Sequence, residues 1–587
     1  MNRLFLKISM MSRSKFILWA FLFCTGILFS QNREKDTLDP EVIQVVKPYS
    51  PTVSDAFKIK KNPQIDSIEI NKKKELTYQI NSVPVASTFT PDKGRPKSIK
   101  REPKEFIYNN YVKVGYGNYL TPLAEVFAHY NLTKYSDLGG FIKFQSSEGE
   151  IDDAVLNDHY SDLNVDLFYK QSERYFDWKI TGGFANNVVN WYGLSEDISF
   201  NNNVIKSIAE KQSYGTIYLG GNVEFFDALV HSGDIQITRF VDNHNSKENH
   251  LDFRGNVAFK VWNELEMNSY IFLELLNGKF ENNFEHTEEI DYNFINVGFS
   301  PNFTFLREDL TINAGANLYY SFTNNDNDDS KFYVYPNVTA SYKVFEESLI
   351  AYAGVIGDLH QNTYQKLAKE NPFVSPTLNI KRSSQQYLAY AGAKGKWGAN
   401  ISFNAKVSYG SENDKALYKL NSSKTNGNNI VNEGYAAGNS FNVVYDDVQT
   451  IGAFGEVVYD FNENLKFGGN IEFNSYSLDT QNEAWNLPML QATLLAKYKR
   501  KKWYAGADFY FASDRKDVLF ILPTEEEFEI TNSAYFDMNL SGGYFINDKW
   551  SAFVNLNNIL SDNYQKYTHF KVQGFQFMAG ATYKFDF

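Results

Sequence analysis

An all-β, membrane-spanning antiparallel barrel of about 22 strands is the fold this sequence predicts. Three observations predict it. Apolar residues recur at every second position in segment after segment, the connections between segments fall into a short class and a long class, and the chain ends on an aromatic strand. Composition agrees with all three. Phe, Trp and Tyr make up 16% of the 587 residues, with 39 Tyr and 49 Phe, yet the mean hydropathy is negative. Aromatic girdles, a wet lumen and polar loops produce that pairing.

The first 30 residues read as a signal peptide. Arg3, Lys7, Arg13 and Lys15 precede an apolar run from Phe16 to Phe29, followed by Ser30 and the polar NREKD. Cys24, the only cysteine, lies inside it, so the mature chain has neither disulfides nor a thiol nucleophile. No later stretch approaches the ~20 consecutive apolar residues of a membrane helix. That excludes a helical transporter and leaves a barrel open.

Residues 31–110 differ from the rest of the chain. They carry 15 basic residues against 11 acidic ones, in a chain that totals 57 against 70. The body is therefore strongly acidic, which argues against a nucleic-acid partner. Prolines 48, 51 and 63 break the apolar runs, and extended periplasmic chain that pairs with a partner, or a passive linker, is expected here.

From Tyr111 to Phe587 strand-length segments alternate with the two classes of connection. The short ones share a polar or acidic pair: TKYSDLG (133–139), SERYFDW (172–178), LREDL (306–310), NENLKF (462–467), KRKKWY (499–504) and INDKW (546–550) are examples. The long ones include 146–162, 188–213, DNHNSKENH (242–250), 278–293, 323–331, 360–385 and stretches near 411–440, 477–488 and 513–533. An even strand count returns both ends of the barrel to the turn side. Inside the segments the dyad is plain: Leu310, Ile312, Ala314, Ala316, Leu318 and Tyr320 alternate with mostly polar or small residues. In GFQFMAGATYKFDF (574–587) the apolar set is Phe575, Phe577, Ala579, Ala581, Tyr583, Phe585 and Phe587.

These residues resemble a known family. AWNLPMLQATLLAKYK (484–499), FVNLNNILSDNYQKY (553–567) and the closing strand look like the last strands of TonB-dependent receptor barrels. EVIQVVKPYSP resembles that family's N-terminal box, placing a TonB-box-like contact on Glu41, Val42, Ile43, Gln44, Val45, Val46 and Lys47. The signal end FSQ and the abundant Asn, Tyr, Phe and Lys are similar to Bacteroidetes members. The resemblance implies a 22-stranded receptor in the cell outer membrane, in contact with outer-membrane lipid and lipopolysaccharide. It implies ligand uptake driven by the TonB energiser complex, or work with a surface or periplasmic partner protein. It also implies a plug domain, for which residues 31–110 are too few. The bore is then filled by that segment and the loops, filled by a partner, or partly open. The alternatives to a transporter are a scaffold or accessory subunit of an outer-membrane assembly or secretion complex, and a partly open porin.

No enzyme motif is present, and neither a cofactor nor a metal is expected. His244 and His250 are placed in one loop with Asp242 and Glu248, and Asp326, Asp328 and Asp329 in another; both read as solvated acidic loops. Trp191, Tyr192, Phe373 and Phe520 fall in long loops, where they stack on a ligand such as a sugar ring or pack the loops together. The run VLFILP (518–523) is too apolar for a free loop and is expected to pack into the bore or onto a partner.

Overall fold

The computed structural model describes residues 108–587, apart from 227, 263–264, 286–287, 326–328, 346–347, 522–525 and 562. The signal peptide, residues 31–107 and the box-like stretch Glu41–Lys47 lie outside the described residues.

Twenty-two strands form one closed antiparallel sheet, each paired with its sequence neighbour among the membrane strands. The sheet closes where Asn110–Gly117 lies between Thr121–Thr133 and the final strand Gln576–Phe585, with Lys113 opposite Thr582 and Gly115 opposite Gly580. Closure leaves no unpaired strand edge, the condition for exposing a sheet to lipid. At the seam the Asn109 amide donates to the Asp586 carboxylate at 2.6 Å, so the chain's last residues fasten its first strand.

The alternation read from the sequence sorts the side chains into an outer and an inner set. On the strand Ile290–Arg307, Val297 and Phe299 are 44% and 43% exposed, while Asn296 and Ser300 are 3% and 2% exposed. Ile217, Leu219, Ile235, Ile237, Ile451 and Ile471 continue the exposed apolar set around the barrel. A water-soluble sheet could not leave so continuous an apolar belt uncovered; a bilayer covers it. The inner set is joined by side-chain hydrogen bonds that run across strands. Thr304 donates to Asn313 (2.6 Å), Asn313 to Thr339 (3.1 Å), Asn337 to Asn317 (3.2 Å) and Tyr352 to Asn404 (2.6 Å). Lys113 faces inward beside Glu125 at 3.6 Å.

Both connection classes are present. On the rim that holds the chain ends, turns of two to four residues join the strands, as at 134–135, 173–175, 461–464, 500–502 and 546–549. On the other rim the connections reach 20 residues at 191–210, 362–381 and 421–440. One expectation is corrected. DNHNSKENH is not a long loop but the four-residue turn 243–246, after which the strand Lys247–Trp262 begins. His244 and His250 therefore do not share a loop. The polar residues Glu248, His250 and Asp252 occupy alternate positions on the lumen face, where polarity belongs to strand and not to loop. His250 Nε2 lies 2.8 Å from Glu274 Oε1 on the next strand.

Candidate functional site: the loop assembly in the barrel mouth

The long connections fold back over the strand ends and meet in one buried aromatic cluster. At its centre is a short helix, Tyr364–Glu370. Thr363 caps it, its Oγ1 accepting from the Lys366 amide at 3.0 Å, and YQKLAKE supplies mostly good helix formers. Tyr364, Leu367 and Ala368 are its buried residues.

The helix is latched to the wall by two carboxylates from inward strand positions. Glu248 accepts from the amides of Tyr364 (2.6 Å) and Gln365 (3.1 Å), and from the Tyr292 hydroxyl (2.8 Å). A carboxylate at a helix N-terminus satisfies amides that have no partner within the helix. Asp242 accepts from the Tyr364 hydroxyl at 2.8 Å and, through its other oxygen, from the amides of His244 and Ser246. Around the Tyr364 ring stand Phe240 and Phe280, with ring centroids 5.1 and 4.9 Å away. Burial, with the Asp242 charge behind it, raises the Tyr364 hydroxyl well above its ordinary pKa, so it stays a donor.

The C-terminal half of the same segment is held by distant parts of the chain. Tyr418 donates to the Leu367 carbonyl (3.3 Å) and Tyr567 to the Glu370 carbonyl (3.0 Å). Tyr214 donates to the Pro372 carbonyl at 2.9 Å. A segment gripped at once by inward residues of strands near 214–292 and by Tyr418 and Tyr567 lies across the mouth of the ring.

The four loop aromatics singled out from the sequence all belong to this assembly. Trp191 is fully buried, and its indole N–H donates to the Phe373 carbonyl at 3.2 Å. Tyr192 donates to the Lys571 carbonyl at 2.8 Å, and its ring meets Phe373 and Phe570 edge-on. Phe373 stacks on Phe570 with centroids 3.7 Å apart. Phe520 packs, half-buried, on the same cluster. Each of them touches neighbouring loops. Val518, from the apolar run at 518–523, is buried with them.

A second polar knot ties the hairpin Arg515–Ile521/Glu526–Asn532 to the loop 558–575. Arg515 donates to the carbonyls of Lys566 and Gln565, both at 2.7 Å, and its guanidinium sits over the Tyr535 ring. Asp517 accepts from the Leu420 amide at 3.1 Å and from the Thr568 hydroxyl. Burial raises the Asp517 carboxyl and lowers the Arg515 guanidinium. In the tight turn of that loop, burial also pushes the His569 imidazole down to about 4, against the pull of Asp197 and Glu196. Sequence reasoning did not single out Tyr364, Asp517 or Arg515. The one available signal was Thr363 followed by helix formers inside a supposed loop.

Chemically, the assembly is a packed closure. Most of its donors and acceptors are paired within the loops and strand ends and its rings pack one another, while Asn371 Nδ2, Arg515 Nε and His569 Nε2 are buried without a hydrogen-bond partner.

The sequence matches no family model and no curated protein. Solved structures nevertheless share the architecture. One is the pyoverdine outer membrane receptor FpvA from Pseudomonas aeruginosa, at 14% identity over 83% of this chain and 80% of that one, with TM-score 0.60. Another is the FrpB iron transporter from Neisseria meningitidis, at 9% identity over 81% of each chain, with TM-score 0.62. The copper transporter OprC aligns at 12% identity over 83% of this chain and 82% of that one, with TM-score 0.58. The fold is that of outer-membrane receptor barrels. The closed sheet and its apolar belt point to the same membrane for this chain.

Proposed function

We propose that this protein is a receptor-like outer-membrane transporter of the TonB-dependent type, whose external loops form a closed mouth that parts to admit a ligand. The observation that carries the reading is the helix Tyr364–Glu370, held across the barrel mouth by Glu248 and Asp242 on one side and by Tyr418 and Tyr567 on the other. A packed mouth on a wide barrel suits capture and regulated passage better than free diffusion, and weighs against an open porin. The solved barrels of this shape are named for pyoverdine, iron and copper, which makes a metal or metal chelate the first class to try. Trp191, Tyr192, Phe373 and Phe520 are, on this reading, rings that ligand contact would re-pack. The stretch Glu41–Lys47 is the contact for the energiser.

The test uses cells that carry the chain with Phe373→Cys and Phe570→Cys and are offered radioactive iron as ferric siderophores, and radioactive copper. Short-span cross-linking of the two cysteines is expected to abolish uptake, and reduction of a cleavable linker to restore it. Uptake at the unlocked rate through a fully cross-linked barrel would refute the gated mouth. The same uptake measured on a chain lacking residues 40–50 decides the coupling separately: loss supports the energiser contact, and unchanged uptake removes it while leaving the gate in place.

A further inference from the structure

The short-turn rim carries one feature that the transport reading does not use. Several of its turns contain acids, as Glu173, Glu308, Glu463 and Asp548 show. The turn 500–502 is instead basic throughout. Lys499, Arg500, Lys501 and Lys502 follow one another without an acid, in a chain whose formal net charge is −13. Lys499, Arg500 and Lys502 are exposed, and the turn is rigidly presented. The Arg500 amide donates to the Trp503 carbonyl (2.8 Å), the Lys499 amide to the Asn464 carbonyl (2.8 Å), and the Phe545 amide to the Lys502 carbonyl (2.7 Å).

The surroundings fix what this patch faces. Trp503, Tyr544, Trp550 and Phe467 are 40–48% exposed on the outer face of the adjoining strands, and Tyr498 packs against Trp503 with centroids 4.6 Å apart. Outward aromatics at a strand end mark the membrane–water interface, because their rings suit the boundary between acyl chains and headgroups. The turn 500–502 therefore stands at headgroup height, beside lipid, whereas Lys499 ends its strand at a lumen-facing position. The nearby acids are few: Asp460 is already paired with Lys466 at 2.8 Å, leaving Glu463 and Asp548 on the flanking turns.

We propose that the turn 500–502 is a binding site for the phosphate of an anionic glycerophospholipid, in the leaflet that meets the short-turn rim. The Arg500 guanidinium offers a planar fork to the phosphate oxygens, and Lys502 adds a point charge beside it. The aromatic girdle holds the glycerol and upper acyl region against the barrel wall. A site of this kind anchors the rim in an anionic leaflet and fixes the height of the barrel in the bilayer.

The experiment uses the full-length protein reconstituted in vesicles that contain equal phosphatidylglycerol and phosphatidylcholine, then extracted mildly, with retained lipid measured by native mass spectrometry. The wild type is expected to retain phosphatidylglycerol in preference to phosphatidylcholine, and to lose that preference in high salt. The double variant R500Q/K502Q is expected to lose the preference about tenfold, since each cation near an anionic leaflet adds a separate attraction. These side chains are exposed, so the variant should fold, which heat-modifiable migration on a gel checks. The control K211Q/K247Q removes two exposed cations from the other rim and should retain the preference. Equal retention of the two lipids by the wild type would overturn the site. So would an equal loss in the control, which would reduce the effect to overall charge. A wild type that prefers phosphatidylcholine, or that carries a bound protein at this rim in place of lipid, would also overturn it.

Discussion

Removing the Glu248 carboxylate should release the mouth helix while leaving the barrel standing. The side chain accepts three hydrogen bonds, from the Tyr364 and Gln365 amides and the Tyr292 hydroxyl, at 2.6, 3.1 and 2.8 Å. In Glu248→Ala all three donors lose their partner in a buried place. Each stranded donor costs about 1–3 kcal/mol, so together roughly 3–6 kcal/mol once some water enters the space. At about 1.4 kcal/mol per factor of ten, the open form of the segment gains at least a hundredfold in population. Glu248→Gln keeps one accepting oxygen but turns an amide donor toward another donor, and should cost about 1–2 kcal/mol. Thr363→Ala removes only the cap bond to Lys366 and should cost about 1 kcal/mol. Amide hydrogen exchange over residues 362–372 in detergent or nanodiscs reads the series directly. The exchange rates should rank alanine above glutamine above the cap variant, with the membrane strands unchanged. If exchange at Tyr364–Glu370 in Glu248→Ala matched the wild type, the carboxylate would not be what holds the helix.

Two further outcomes rest on particular residues. His569 stays neutral when buried, with its pKa lowered to about 4, whereas in an opened loop it returns to its ordinary value near 6.5. Above both values no proton separates the two forms. As pH falls from about 6.5 toward 4 the open loop gains a proton that the closed one refuses, so closure weakens on acidification. Limited proteolysis of 558–575 should therefore speed up between pH 7 and about pH 4.5, and the slope should vanish in His569→Asn, a residue that tolerates the positive φ at this position. A flat wild-type profile would refute this. At the seam, a Cβ on Gly580 would collide with the Val114 carbonyl oxygen and the Phe553 ring. Gly580→Ala should cost about 1–3 kcal/mol and lower the temperature at which the compact gel form converts to the unfolded one; an unchanged temperature would mean that closure does not need the glycine.

Much of the barrel was legible because its code is local. Lipid outside and water inside dictate the identity of each residue relative to the one two positions away, and a short turn must come within the same stretch of chain. The short turns, the even count and the closing strand could thus be read in order. The misreading at DNHNSKENH has the same root. Polarity there signalled the wet face of a strand, and composition alone cannot tell a wet face from a loop.

What the sequence by itself determined is the wall: a strand's two faces are written in adjacent residues, and the surrounding solvents enforce them one strand at a time. What only the tertiary structure decided is the mouth. Trp191 meets the Phe373 carbonyl across 182 residues of chain and Tyr192 meets the Lys571 carbonyl across 379. No periodicity links such positions, because loops carry no repeating geometry. Their contacts exist only after closure of the sheet brings the strand ends into one ring and leaves the apolar loop residues a common place to hide from water.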